Sequence, residues 1–208
     1  MNRLIIIGAS GHGKVVADIA KRCGYKDIVF LDNNQKITSC LGYVVLGSET
    51  MVNELRGDLF VAIGNADIRK RIMEKHPNRF FPVLIHPSAV IADNVKIDTG
   101  TVVMAGTVVN PDVRIGKGCI INTSSSIDHD CVIGDYCHIS VGAHLAGTVN
   151  VEEGTWIGAG STISNNISIC AGCVIGAGAV VVKSIIESDT YLGIPAKGLK
   201  QYGGTIKN

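Results

Sequence analysis

The chain has 208 residues, 19 lysines and arginines against 18 aspartates and glutamates, a formal net charge of +1 and 46% hydrophobic residues. A balance this near neutrality, with no long charge run, excludes an electrostatic case for nucleic acid or an anionic membrane surface. No apolar run reaches the roughly 18 residues of a membrane span, and the opening MNRLIIIGASG turns to glycine too soon for a signal peptide, so it reads as a buried strand in a cytoplasmic protein.

The first strand is Leu4-Ile5-Ile6-Ile7, which ends in Gly8-Ala9-Ser10-Gly11-His12-Gly13-Lys14. Val15, Val16, Ile19 and Ala20 then recur at helical spacing. Ile28-Val29-Phe30-Leu31 is a second strand, ending at Asp32-Asn33-Asn34. A short strand near Val44-Val45-Leu46 precedes a helix expected over about 49–56. Phe60-Val61-Ala62-Ile63 ends in Gly64-Asn65, and a helix follows over about 66–75. Its Arg69-Lys70-Arg71, the densest basic stretch, reads as a solvated helix face. Alternating strands and helices predict a small parallel, Rossmann-like α/β sheet over residues 1–84.

The glycine loop follows a strand and opens a helix, which turns backbone N–H groups toward an anion. Gly8-x4-Gly13-Lys14 nearly spells a triphosphate P-loop, but Val15 stands where a metal-binding Ser or Thr belongs. A dinucleotide would use Asp32 on a ribose hydroxyl, yet the sheet is too short for both halves of such a cofactor. A single nucleotide diphosphate bearing a sugar, with Asp32 and Asn33 near the nucleoside, is the favoured reading. A tight turn with no ligand stays open beside it. His12 either touches phosphate or faces water.

From Ile91 the period changes. Sixteen consecutive hexads carry an aliphatic residue at one position, from Ile91, Ile97 and Val103 to Ile175 and Val181, with a smaller residue four places on. Neither a helix of about 3.6 residues per turn nor a strand of period 2 keeps that register. Hexapeptide β-helix coils do, with three hexads closing each triangular coil, so residues 85–208 are read as an all-β parallel β-helix with a C-terminal tail. The tail from Ser188, with Gly193-Ile194-Pro195, is expected to pack back over the last coil. Cys119, Cys131, Cys137 and Cys173 fall at the small interior position, where a thiol is a compact hydrophobe. A Cys119–Cys137 bridge is conceivable one coil apart. Cys170-Ala-Gly-Cys173 has no second pair to complete a zinc site, so no metal is expected.

Three of the six histidines, His129, His138 and His144, lie within sixteen residues and outside the interior positions. His129 stands between Asp128 and Asp130, as a general base kept basic and oriented would. His138 and His144 each end a hexad, at a corner. A Ser or Cys nucleophile is not evident, so direct transfer is the simpler chemistry.

The GASGHGK loop, Ala62-Ile63-Gly64-Asn65, Ile85-His86-Pro87-Ser88-Ala89 and the stretch from Asn122-Thr123-Ser124 through His129-Asp130-Cys131-Val132-Ile133-Gly134, with His138 following, give the chain a resemblance over nearly its whole length. It resembles the sugar acetyltransferases grouped with sialic acid O-acetyltransferases, and within them the bacterial nucleotide-sugar N-acetyltransferases. The resemblance implies a left-handed β-helix and a homotrimer with active sites between subunits. It implies acetyl-CoA as co-substrate and a nucleotide sugar as acceptor, with His129 as base and Asp130, where the family often has Glu, raising its basicity. His138, Gly147, Ala159 and Ala177 would meet acetyl-CoA; Ser10, Gly11, His12, Asp32 and Asn33 would hold the nucleotide sugar. The expected reaction is N-acetylation of a sugar amine, at the 4-position by preference. The alternatives are O-acetylation of sialic acid or another sugar hydroxyl, an inert trimeric scaffold bearing a nucleotide-sugar sensor, and a three-histidine zinc enzyme.

Overall fold

The structure is a computed structural model that describes residues 3–202; residues 1–2 and 203–208, the last being the end of the expected 85–208 region, lie outside the described residues. The N-terminal part contains β1 (Arg3–Ile7), α1 (Gly11–Arg22), β2 (Asp27–Leu31), β3 (Ser39–Cys40), β4 (Tyr43–Gly47), β5 (Asp58–Val61) and α2 (Ala66–Lys75). The sheet order is β3-β4-β2-β1-β5, with β1 parallel to both neighbours. Two features differ from the sequence reading. The expected helix over 49–56 is a 3-10 helix, Glu49–Glu54, and β3 pairs antiparallel with β4, so the sheet is not wholly parallel. Alternate residues of β1 divide between two cores: Leu4 and Ile6 face α1, while Ile5 and Ile7 face α2.

The β-helix is built from seventeen two-residue strands, β6 (Leu84–Ile85) to β22 (Val180–Val181), one every six residues. Each strand pairs parallel with the strand eighteen residues away, as in Ile121↔Ile139↔Ile157. This produces three faces. The docked face holds every third strand from β6, the second face every third from β7, and the third face every third from β8. The aliphatic and small positions of the hexad both point inward and form one continuous core. At its edge, β23 (Thr190–Leu192) adds to the docked face, and Ala196 N–H bonds Val180 O, so the tail does pack back on the last coil.

Two local rules explain the hexad. One corner residue in each is left-handed; across 100–178 the position recurs every six residues and is Gly wherever it is not Asp112, Ser124, Asp130, Tyr136, Thr148 or Asn166. Asp and Asn tolerate that region better than most side chains. The second rule concerns the small interior position, whose polar atoms bind a corner carbonyl fifteen residues on: Thr107 Oγ1 to Asn122 O at 3.0 Å, Cys119 Sγ to Gly134 O at 3.1 Å and Cys137 Sγ to Glu152 O at 3.1 Å. The interior cysteines are therefore donors as well as space-fillers. All seven cysteines are free thiols.

The N-terminal sheet sits on the docked face. Leu84, Val102, Met104 and Ile120, outward on the coils, are buried in the same cluster as Leu4, Ile6, Val16 and Ala20. Apolar residues on the outside of a coil mark where another layer covers it.

Candidate active site

The glycine loop is shaped by packing. Gly8 has φ 107°, and a Cβ there would sit 2.7 Å from Ala62 O. A Cβ on Gly13 would sit 2.1 Å from Gly8 O, so α1 can start this close to β1 only without a side chain. Gly13→Ala is therefore expected to lower stability by roughly 1–3 kcal/mol through forced separation of α1 and β1. Gly11→Ala, which meets open space, should unfold at nearly the wild-type temperature. Equal melting temperatures for the two variants would refute this packing account. The first turn of α1 has no acidic residue, and Ser10 makes no side-chain cap, so its N–H groups are open to an outside acceptor. Asp32 braces the loop from β2: Oδ2 accepts the Ala9 N–H at 2.8 Å and Oδ1 the Asn34 N–H at 2.8 Å. Asn33 Oδ1 accepts the Glu49 N–H at 3.1 Å. Ser10, Gly11 and Asn33 are exposed, and Asp32 is half-buried.

His12 is part-buried. Its Nε2 is buried without a partner, and burial, aided by nearby Arg69, lowers its pKa to about 4. Arg69 corrects the solvated-face expectation for this segment. It is 1% exposed and donates to four backbone carbonyls, those of Gly118 at 2.6 Å, Tyr136 at 2.7 Å, Ile63 at 2.8 Å and Gly64 at 3.0 Å. The guanidinium thus ties the end of the Ala62–Asn65 segment to two corners of the coils. A sequence signal existed: Arg69 lies three and four residues before the buried Ile72 and Met73, on the inward stripe of α2.

His138 opens β15 (His138–Ile139) on the docked face, inside a strand and not at a corner. It faces the same region as His12 and Arg69. Burial first, then the Arg69 and His12 charges, hold its pKa down at about 4. Trp156, one coil further along, stacks on its ring with centroids 5.6 Å apart and planes 6° apart. The signal for this tryptophan in the sequence is its place eighteen residues, one coil, after His138. Ala159 and Ala177, also eighteen residues apart, are exposed at the corners that follow Trp156–Ile157 and Val174–Ile175 on the docked face.

His129 lies elsewhere. It occupies the corner between β13 (Ser126–Ile127) on the second face and β14 (Val132–Ile133) on the third, opposite the docked face. Its Nδ1 is 2.7 Å from Asp130 Oδ2. Asp130 occupies the left-handed corner position at φ 58°, and the short Asp reaches the ring. The Asp130 hydrogen bond, then the Asp128 charge, raise the His129 pKa. Asp128 Oδ1 also accepts the His129 N–H at 2.8 Å and is itself held by Asn110. Gly147, one coil above, leaves room for the imidazole: a Cβ there would be 2.6 Å from Cε1 and 2.7 Å from Nε2. His144, like His138 within a strand, β16 (His144–Leu145), pairs with Ser126 Oγ at 2.8 Å. The three histidines are consequently not one cluster. Among the described residues no group of His, Cys, Asp and Glu could hold a metal, and no helix is long and apolar enough to cross a membrane.

Comparison with known proteins fits this two-part architecture. Residues 3–76 match the family described as PglD N-terminal domain, and residues 148–183 match bacterial transferase hexapeptide, six repeats. The solved acetyltransferase domain of PglB from Neisseria gonorrhoeae is 40% identical, with 95% of this chain and 100% of that chain covered and a TM-score of 0.91. The chain belongs to the bacterial nucleotide-sugar N-acetyltransferases of the hexapeptide-repeat acyltransferase family. PerB from Caulobacter crescentus, solved in complex with CoA and GDP-perosamine, is 35% identical over 95% of this chain and 97% of that chain, with a TM-score of 0.90. UDP-N-acetylbacillosamine N-acetyltransferase of Bacillus subtilis (strain 168) is 37% identical over 113 residues, 50% of this chain; the match spans about half, 52%, of that curated relative.

The described residues form two separate candidate half-sites. One comprises His129, Asp130 and Gly147. The other comprises the glycine loop, Arg69, His138 and Trp156. Shallow depressions lie away from both, along Lys96, Arg114 and Val132 and between Met73, Phe81 and Tyr136.

Proposed function

We propose that the chain transfers the acetyl group of acetyl-CoA to an amino group, on the 4-carbon, of a nucleotide-linked sugar, with His129 as general base. The observation that carries this reading is the His129–Asp130 pair. Nδ1 donates to the carboxylate, so the neutral ring keeps its lone pair on Nε2, beside the space that Gly147 leaves. That is the tautomer a base needs. The sugar amine attacks the thioester carbonyl, Nε2 takes its proton, and coenzyme A leaves as the thiol.

Because His129 and the docked face are on opposite sides of one coil, the two half-sites meet only across a boundary between copies. This supports a homotrimer whose neighbouring subunits share each active site. Residues 1–84 would hold the nucleotide sugar through Ser10, Gly11, His12, Asp32 and Asn33, with phosphate on the open N–H groups of α1. Residues 85–208 would carry acetyl transfer, with acetyl-CoA along His138, Ala159 and Ala177 of one copy and Gly147 of the next. The solved relatives bind matching ligands: the PglB domain was solved with acetyl coenzyme A and PerB with CoA and GDP-perosamine. On this reading the reaction is expected in the cytoplasm.

Thiol release from acetyl-CoA, measured against UDP-, GDP- and CMP-linked amino sugars beside free sialic acid, tests the reading. Release is expected with a 4-amino nucleotide sugar. Turnover on sialic acid alone would move the enzyme to O-acetylation. Silence with every acceptor, and no binding of acetyl-CoA at millimolar concentration, would leave the coils a scaffold.

A further inference from the structure

The last coil breaks a rule that the earlier coils keep. The interior thiols of Cys119, Cys131 and Cys137 each donate to the corner carbonyl fifteen residues on, at 3.1, 3.2 and 3.1 Å. Fifteen residues after Cys173 is Ser188, beyond the last hexad strand, and the Cys173 thiol has Glu187 O at 3.8 Å in place of a corner partner. Its sulfur lies instead 3.5 Å from Cys170 Sγ.

The two cysteines bound one corner, between β20 (Ser168–Ile169) on the third face and β21 (Val174–Ile175) on the docked face. Gly172 turns that corner in the left-handed region, at φ 68°. The corner backbone is held throughout: the Cys170 N–H donates to Ile185 O at 2.9 Å, the Gly172 N–H to Glu153 O at 2.9 Å, and Cys170 O accepts Thr155 Oγ1 at 3.1 Å. A disulfide needs its sulfurs about 2.0 Å apart, and with the backbone pinned that approach falls to rotation of the two side chains. Cys170 is half-buried, whereas Cys173 is wholly buried. Burial pushes the Cys173 thiol up to about 12, so it stays protonated at neutral pH. The outer sulfur is therefore the one that meets an oxidant, and the inner one resolves the product.

We propose that Cys170 and Cys173 are a reversible oxidation site, in which Cys170 takes up a hydroperoxide and Cys173 closes the product to an intrachain disulfide. With hydrogen peroxide, Cys170 Sγ attacks one oxygen, the O–O bond breaks, and the other oxygen leaves as water, giving a sulfenic acid. Cys173 Sγ then attacks the Cys170 sulfur; the S–O bond breaks, and hydroxide leaves as water with the Cys173 proton. Two thiols lose two electrons, and one peroxide becomes two waters. A dithiol reductant reverses the bridge by exchange. Transient bridges of this kind serve redox sensing where structural disulfides do not persist. The proposal does not depend on the acetyl-transfer reading.

The test treats the folded, full-length protein with hydrogen peroxide, quenches it, alkylates it in denaturant and cuts it after glutamate. The fragment between Glu153 and Glu187 holds Cys170 and Cys173 and no other cysteine. It should appear two hydrogens lighter and unalkylated, and return to a doubly alkylated form after dithiothreitol. Cys119, Cys131 and Cys137 should stay alkylatable. Both thiols of the fragment remaining free, or a sulfinic acid on Cys170 beside a free Cys173, overturns the proposal in the unaltered protein, with no variant required. In Cys170→Ser, oxidation of Cys173 should slow on the order of tenfold or more, at an unchanged melting temperature. Oxidation of Cys173 at the wild-type rate in that variant overturns the role of Cys170 as the entry point.

Discussion

His129→Ala is expected to lower kcat for acetyl transfer by roughly 100- to 10,000-fold, with no change in thermal unfolding. The imidazole is 56% exposed and its one side-chain partner is Asp130, so its removal leaves no cavity and no buried polar atom. The pH dependence follows from the same pair. The His129 pKa lies above its ordinary 6.5, chiefly through the Asp130 hydrogen bond and then through the Asp128 charge. Only the free base accepts a proton, so kcat/KM should rise with pH through that raised value and be lost as pH falls below it. Asp130→Asn removes the charge that stabilises the imidazolium. The rising limb should then move to lower pH and the plateau rate should fall, because a weaker base takes a proton less readily. Steady-state profiles of both proteins over the same pH range provide the check. Retention of most activity by His129→Ala, or a limb that stays in place in Asp130→Asn, would end the assignment.

The largest effect on stability is expected at Arg69. Arg69→Leu keeps much of the stem and removes the donors to the Gly118, Tyr136, Ile63 and Gly64 carbonyls. An unpaired buried acceptor costs about 1–3 kcal/mol, and four carbonyls lose their donor together. A loss of at least about 1–3 kcal/mol is expected in urea unfolding. Arg69→Lys should recover only part, because an ammonium cannot fork to four carbonyls. The variant should also raise KM for the nucleotide sugar more than for acetyl-CoA, since the glycine loop and the Ala62–Asn65 segment are seated on the coils by this side chain. A change below about 1 kcal/mol would mean that the apolar cluster around Leu84, Val102 and Ile120 docks the N-terminal sheet without it.

These two residues differ in how far the sequence exposed them. His129 was legible because the hexad register placed it outside the core and the flanking aspartates supplied the chemical reason. Arg69 was not, because a basic triplet on a helix is ordinarily solvated and nothing local says that the helix will be covered by coils. Asp130 was intermediate: its identity was plain, but its left-handed backbone, which brings a short carboxylate onto the ring, is a property of the corner. Asn122 and Trp156 meet His138 at separations of sixteen and eighteen residues, contacts that exist only once the coils are stacked.

By itself the sequence determined the coil. A six-residue period sustained over sixteen hexads admits one way of burying its aliphatic positions, since a slip of one residue would turn the interior thiols and hydroxyls outward and leave their corner carbonyls unbonded. It determined equally that a strand, a glycine turn and a helix follow one another over residues 3–22. The tertiary structure alone decided that the N-terminal sheet sits on one face, that Arg69 is swallowed at that contact, and that His12 and His138 come together while His129 stands on the far side. Docking of one layer on another depends on surface shape and on carbonyls left free at corners. Those quantities are set by residues remote in the chain, and no periodicity records them.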